Sequence, residues 1–135
     1  MNDCVFCRIA RGELPCLRVW EDERAMAFMD AADDVDGHIL VIPREHAESL
    51  LDCGEETAAR VIRAVRTVAR HLVQECGYEG VNVLNASGAA AGQSVGHLHF
   101  HIVPRRAGDG IDAWPVFTGA REEKEAVWRR VRMAD

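Results

Sequence analysis

Hydrophobic and polar positions change rhythm several times along this chain, and each change marks an element. From about Cys4 to Ala10 the pattern fits a short helix or turn, which Gly12 to Pro15 breaks. Leu17 to Glu21 and Ala25 to Asp30 read as two extended segments joined by the polar turn Glu21-Asp22-Glu23-Arg24, a hairpin. An acidic loop holding Asp33, Asp34, Asp36 and Gly37 follows. His38 to Ile42 is rich in β-branched and aliphatic side chains and stops at Pro43, which makes it a third strand.

The period then lengthens to that of a helix. From about Gly54 to Cys76, residues Ala58, Val61, Ile62, Val65, Val68, Ala69, Leu72 and Val73 fall on one apolar stripe. Asp52 with Glu55 three residues later suits an N-terminal cap, and Gly77 suits the stop. Arg60, Arg63, Arg66 and Arg70 flank the stripe and read as a solvated face rather than a ligand patch. Val81 to Leu84 predicts a fourth strand, Ala86 to Gly96 a loop rich in Gly and Ala, and the apolar run after it a fifth strand. A short helix from about Arg121 to Val131 closes the chain. Strands on both sides of one long helix predict the α+β class: an antiparallel five-stranded sheet, one long helix on one face, and short terminal helices.

The fifth strand carries the chemistry. His97, His99 and His101 alternate with Leu98, Phe100 and Ile102, so period 2 sends three imidazoles to one face and three apolar side chains to the other. Half of the chain's six histidines therefore share one face, placed opposite the long helix. Such a ladder can be a solvated sheet face or an accidental metal stripe. It is also a good phosphate site, because imidazole serves as nucleophile, acid, base or metal ligand near neutral pH. The loop running into it favours the second reading: glycines expose backbone N–H groups, and Asn85, Gln93 and Ser94 add neutral side-chain donors, an oxyanion cradle beside the histidines.

Composition narrows the classes. A chain of 135 residues that is 48% hydrophobic fits one domain over residues 1–135. The net charge of −6 argues against general nucleic-acid binding, while leaving room for a small anion held by local donors. No stretch reads as a signal peptide or membrane span, which predicts a cytoplasmic protein. Five cysteines in such a chain are better read as thiols or a metal site than as a disulfide framework. Cys4 and Cys7 form a Cys-x-x-Cys knuckle, which suits a tetrahedral metal or a redox pair. Cys16, Cys53 and Cys76 have no spacing partner.

Three ordered segments resemble one known family. Gly92-Gln93-Ser94-Val95-Gly96-His97-Leu98-His99-Phe100-His101-Ile102-Val103 is similar to the signature of the histidine triad (HIT) superfamily. Gly37-His38-Ile39-Leu40-Val41-Ile42-Pro43-Arg44-Glu45-His46 resembles its other recurrent segment, and Cys4-Val5-Phe6-Cys7-Arg8-Ile9 its usual start.

Position by position, the resemblance implies a nucleotide phosphohydrolase in which His99 attacks an α-phosphate and forms a nucleotidyl-imidazole that water cleaves. His101 matches the residue on the phosphate oxygens, with His97 completing the triad, and Asn85 and the backbone near Gly92, Gln93 and Val95 share the charge. Ser94 matches the residue at the leaving group. Asp30 matches the acidic residue on the ribose, although alone it reads as a turn residue; Val5, Phe6, Ile9 and Phe28 match the walls of the base pocket, although Phe6 and Phe28 alone read as core. His38 is either packing or support for the triad.

The same resemblance implies that His46 and His97 complete the Cys4–Cys7 knuckle as a closed, structural zinc site, with no organic cofactor. It further implies a purine nucleotide or nucleotide conjugate as ligand and a homodimer with a continuous sheet. A third histidine favours hydrolysis over transfer to a sugar phosphate. The competing classes are a nucleotide sensor with incidental hydrolysis, and a zinc or redox module in which the other histidines are passengers. Trp114-Pro115 only faintly resembles a family element near the active site, so Trp114 receives no catalytic role.

Overall fold

The computed structural model describes residues 4–134. Its elements, in chain order, are α1 (Val5–Ala10), β1 (Arg18–Glu21), β2 (Ala25–Met29), β3 (Ile39–Pro43), α2 (Glu55–Gln74), β4 (Gly80–Leu84), a 3₁₀ turn (Ala89–Ala91), β5 (Phe100–Arg105) and α3 (Lys124–Val131). All strand pairs are antiparallel, and the sheet runs β1-β2-β3-β5-β4. The α+β class with five strands, one long helix and short terminal helices is thus the observed one. The edges of the elements move by one to three residues, as expected where strand and turn signals grade into each other.

Pairing register sorts the side chains onto two faces. Leu40 stands opposite both Phe28 and His101, while Val41 stands opposite Ala27 and Phe100. Ala25, Ala27, Ile39, Val41, Leu98, Phe100 and Ile102 therefore meet Val61, Ala64, Val65, Val68 and Leu72 of α2 in the main core. Met26, Phe28, Leu40 and Ile42 form a smaller cluster with Phe6 of α1 on the opposite face. The histidines share that second face, because each stands one step of the pleat from an α2-facing residue, His97 and His99 beside Leu98 and His101 beside Phe100.

Three local expectations are corrected. The apolar stripe of α2 is narrower than its sequence implied: Ile62 and Val73 are exposed and Ala64 is buried. Each exposed residue follows a buried one, Val61 or Leu72, by a turn of about 100° around the axis, beyond the reach of the sheet. Asp52 does not cap α2; Gly54 occupies the cap position, and Asp52 accepts a bond from the Ser49 N–H at 2.8 Å, closing the preceding turn. The last strand begins at Phe100 rather than at the triad's first histidine. Before that point the backbone finds other partners, Leu98 N–H bonding to the Ala47 carbonyl and the His99 carbonyl accepting from Asn85 Nδ2.

Arg44 fastens the second face to the hairpin. Its guanidinium donates to the Ala10 and Asp22 carbonyls and pairs with Glu21, joining the end of α1 to the β1–β2 turn. Past Asp112 the chain adds little to either core: α3 buries no side chain, and Trp114, Val116 and Phe117 are exposed.

The acidic loop between β2 and β3 is held close to β5 at one glycine. Gly37 has φ +80°, and a Cβ there would lie 2.8 Å from Pro104 Cγ and 3.2 Å from the Tyr78 hydroxyl. Gly37→Ala should therefore lower the free energy of unfolding by roughly 1–3 kcal/mol, combining left-handed strain with the overlap. Denaturant unfolding of the two proteins checks this, and an unchanged midpoint would mean that the loop does not rest on β5.

Candidate active site and metal centre

The triad's three imidazoles have three different environments. His97 is fully buried, and its Nε2–H donates to the Pro43 carbonyl at 2.9 Å, which turns the Nδ1 lone pair toward two sulfurs. Burial, opposed by that carbonyl and reinforced by His46 and His99, lowers the His97 pKa to about 4. His99 donates Nδ1–H to the carbonyl of His97 at 2.7 Å, which fixes its tautomer and leaves the lone pair on Nε2. Asn85 holds the next carbonyl, that of His99, and is itself steadied by the Ser87 hydroxyl at 2.8 Å. His101 is half-buried; desolvation first, then His99 and His38, push its pKa down, against the carboxylates of Asp30 and Asp34.

His38 links His101 to the acidic loop. Its Nε2 lies 2.9 Å from His101 Nδ1 and 3.7 Å from Asp30 Oδ2, and its Nδ1 lies 2.9 Å from Asp34 Oδ1. Since a carboxylate can only accept, Nδ1 carries the proton and Nε2 accepts from His101. The hydrogen bond to His38 also holds the Asp34 carboxyl below its usual range. Asp34 was legible in the sequence only as one of several loop acids, because spacing inside a loop says nothing about direction.

A cavity of about 700 Å³ opens in front of these groups. His99, His101, His38, Ser94, Val95 and Asp30 line it, together with apolar side chains of Val5, Phe6, Ile9, Phe28, Leu17 and Leu40. Phe6 places its ring edge-on to His99, at 5.2 Å between centroids, and to Phe28 at 5.6 Å. It is both core and wall, as is Phe28, which is buried yet faces the cavity. Exposed Leu17 and half-buried Cys16 and Val35 join the lining without having been assigned to a site, since isolated apolar residues beside turns carry no pattern that points to a cavity.

Other positions stand behind the cavity rather than in it. Gln93 spends its side-chain amide on backbone, accepting from Gly88 N–H at 2.8 Å and donating to the Val95 carbonyl within its own loop and to the Glu48 carbonyl of the segment before α2. Gly92, in the left-handed region at φ +90°, ends the 3₁₀ turn that this brace encloses. Asn85, Gly92, Gln93 and His97 do not line the cavity; they shape the backbone that does. Trp114 is exposed and does not line the cavity.

Behind His99 lies a second cluster. Cys4, Cys7, His46 and His97 bring four ligand atoms within 4.8 Å of one another. The Cys4 sulfur caps α1 by accepting from Cys7 N–H, which folds the knuckle into a turn. Cys7 Sγ stands 3.3 Å from His46 Nδ1 and 3.5 Å from His97 Nδ1, and Cys4 Sγ stands 3.4 Å from His97 Nδ1. A tetrahedral ion with bonds of about 2.3 Å to sulfur and about 2.05 Å to nitrogen would separate such donors by about 3.6 Å. The donor set therefore fits, and the Pro43 carbonyl on the far nitrogen of His97 is the kind of outer partner that orients a ligating imidazole. Without an ion, burial and the neighbouring Cys4 thiol push the Cys7 thiol pKa up.

Residues 11–108 match the model of the HIT domain. The chain belongs to this family. Adenosine 5'-monophosphoramidase hnt1 of Schizosaccharomyces pombe is 36% identical over 131 residues, covering 95% of each chain. Adenylylsulfatase HINT3 of Arabidopsis thaliana is 39% identical over 108 residues, 80% of this chain and 55% of that protein. Among solved structures, a HIT family member from Bacillus subtilis superposes with a TM-score of 0.81 at 35% identity, covering 98% of this chain and 100% of that one. A Zn-bound histidine triad protein from Mycobacterium smegmatis superposes with a TM-score of 0.78 at 38% identity, over 82% of this chain and 81% of that one.

Proposed function

We propose that this HIT protein is a nucleotide phosphohydrolase that cleaves the α-phosphate linkage of a purine nucleoside monophosphate conjugate, with His99 as nucleophile. The observation that carries the reading is the His99 imidazole: its Nδ1–H is tied to the His97 carbonyl, and the ring borders a cavity large enough for a nucleotide. Two relatives whose names denote a phosphoramidase and an adenylylsulfatase support the same reaction class.

In this reading the apolar walls formed by Val5, Phe6, Ile9 and Phe28 enclose the base, and Asp30 accepts from the ribose hydroxyls. His99 Nε2 attacks the α-phosphorus, forming a phosphorus–nitrogen bond as the bond to the leaving group breaks. The leaving group departs with that electron pair, and Ser94 delivers its proton where it needs one. Water then attacks the same phosphorus, releasing the nucleoside monophosphate and restoring His99. An arriving phosphate opposes the effects that depress His101, favouring an imidazolium that donates to the phosphate oxygens. Asn85 acts through the backbone, keeping the His99 peptide in place for both steps.

The metal in the Cys4, Cys7, His46 and His97 cluster is zinc in this proposal, supported by the donor set and by the Zn-bound relative. Four protein ligands leave no position for water, so its contribution is to pin the amino-terminal segment behind the nucleophile. The protein is also read as a homodimer. The position of β4 at one edge of the sheet, its exposed Val83, and the exposed Ile62 and Val73 of α2 support that assembly.

Adenosine phosphoramidate and a diadenosine polyphosphate, assayed side by side, should show turnover of at least one, with His99→Asn reducing it by 10³-fold or more, roughly the value of a lost nucleophile. Full activity in the variant would refute the mechanism, and tight nucleotide binding without turnover would point to a sensor. Metal analysis should return zinc near one per chain, and stripping it should lower the unfolding temperature; a zinc-free protein of unchanged stability would remove the metal from the account. Sedimentation equilibrium should give twice the chain mass, and a monomer at micromolar concentration would rule the dimer out.

A further inference from the structure

In the lining of the cavity, Asp30, His38 and His101 bring one carboxylate oxygen and two imidazole nitrogens within 4.8 Å of one another, separate from the Cys/His cluster. We propose that these three residues form a second metal site, for a divalent transition ion, and that an ion there excludes the nucleotide. The exclusion half rests on the proposed nucleotide reading, since Asp30 and His101 would serve both ligands.

The donors have the chemistry and the spacing. Two imidazoles and one carboxylate on one side of an ion leave its other positions open, an arrangement that suits nitrogen-preferring first-row metals rather than magnesium or calcium. His38 Nε2 and His101 Nδ1, 2.9 Å apart, subtend about a right angle at an ion bonded to each at about 2.05 Å. Asp30 Oδ2, 3.7 Å from His38 Nε2, stands slightly beyond the roughly 3.0–3.4 Å of adjacent ligands, a gap that rotation of the carboxylate closes. His38 is buried, and Asp30 is mostly so.

The orientation of His38 is the second, independent mark. Asp34 takes its Nδ1–H at 2.9 Å, which fixes the tautomer with the lone pair on Nε2, aimed at His101 and Asp30. A carboxylate on the far nitrogen is the usual outer partner of a metal-bound imidazole. In the metal-free protein, the proton of His101 Nδ1 fills the space between the rings. An ion takes that place, and the proton moves to His101 Nε2, so the imidazole stays neutral and charge balances. The ion then holds Asp30 and His101 away from ribose and phosphate.

The test uses the full chain with its Cys/His cluster first loaded with zinc, titrated with Co²⁺ and followed by visible absorption and calorimetry. One further Co²⁺ per chain should bind, without the intense thiolate-to-metal band that sulfur ligation gives. Adenosine monophosphate should displace it, with the apparent affinity for Co²⁺ falling in proportion to nucleotide concentration. Asp30→Asn and His38→Gln should abolish this second site, while Asp34→Asn should weaken it about 10–100-fold and spare the first. Cys76→Ser, which removes the surface thiol 3.5 Å from His71, should leave it unchanged. The proposal fails if no second ion binds, if its spectrum carries a thiolate band, if the Asp34 and His38 variants bind it like wild type, or if nucleotide and Co²⁺ occupy the protein together. Absence of nucleotide binding in the zinc-loaded protein before cobalt is added would refute the exclusion and the hydrolase reading while the spectra still decide the metal site.

Discussion

One buried imidazole organises the second face of the sheet. His97 touches three parts of the chain at once: its Nε2–H reaches the last carbonyl of β3, its Nδ1 meets the sulfurs of the amino-terminal knuckle, and its own carbonyl accepts from His99. A buried imidazole left without partners would cost free energy through its polar nitrogens, so each contact has to be satisfied together with the others. The consequence is geometric. The carbonyl that sets the tautomer of His99 can be in position only if α1, β3 and the approach to β5 have all assembled.

The force that holds this assembly lies on the opposite face. Leu98, Phe100 and Ile102 are the intervening residues of the same segment, and each is buried against the α2 side of the sheet. Burial of each is worth on the order of 1.5–3 kcal/mol, more than any single hydrogen bond in the site. Period 2 thus couples two requirements in one stretch of six residues. A slip of one residue would bury the imidazoles under α2 and expose the apolar side chains, so core packing sets the register in which the histidines face the cavity.

The features that could be read from the sequence were those governed by this periodicity. The stripe Val61, Val65, Val68, Leu72 and the alternation from His97 to Ile102 specify a helix and alternating faces locally, and the structure keeps both, although the strand ladder itself begins only at Phe100. What escaped was set by contacts between distant segments. Ile62 and Val73 carry the stripe's hydrophobicity but lie where the sheet does not reach. Gln93 has the right chemistry for a phosphate loop, yet the carbonyls of Glu48 and Val95 claim its amide. Asp34 shows the opposite error: four residues before His38 in an irregular loop, it gave no signal, and only the fold turns it onto the imidazole.

The two histidine clusters differ in what their geometry allows a proton to do. In the knuckle, both nitrogens of His97 have fixed roles, and burial holds its pKa near 4, so the ring stays neutral across the ordinary pH range. Between His38 and His101 a proton lies in a hydrogen bond bordered by Asp30 and Asp34, at the edge of the cavity. The first arrangement resists change in charge and suits a support; the second tolerates it and suits a group that must respond to an arriving phosphate or ion. The alternation of one short segment places both types of environment on the same face, with His99, backbone-tethered and cavity-lining, between them.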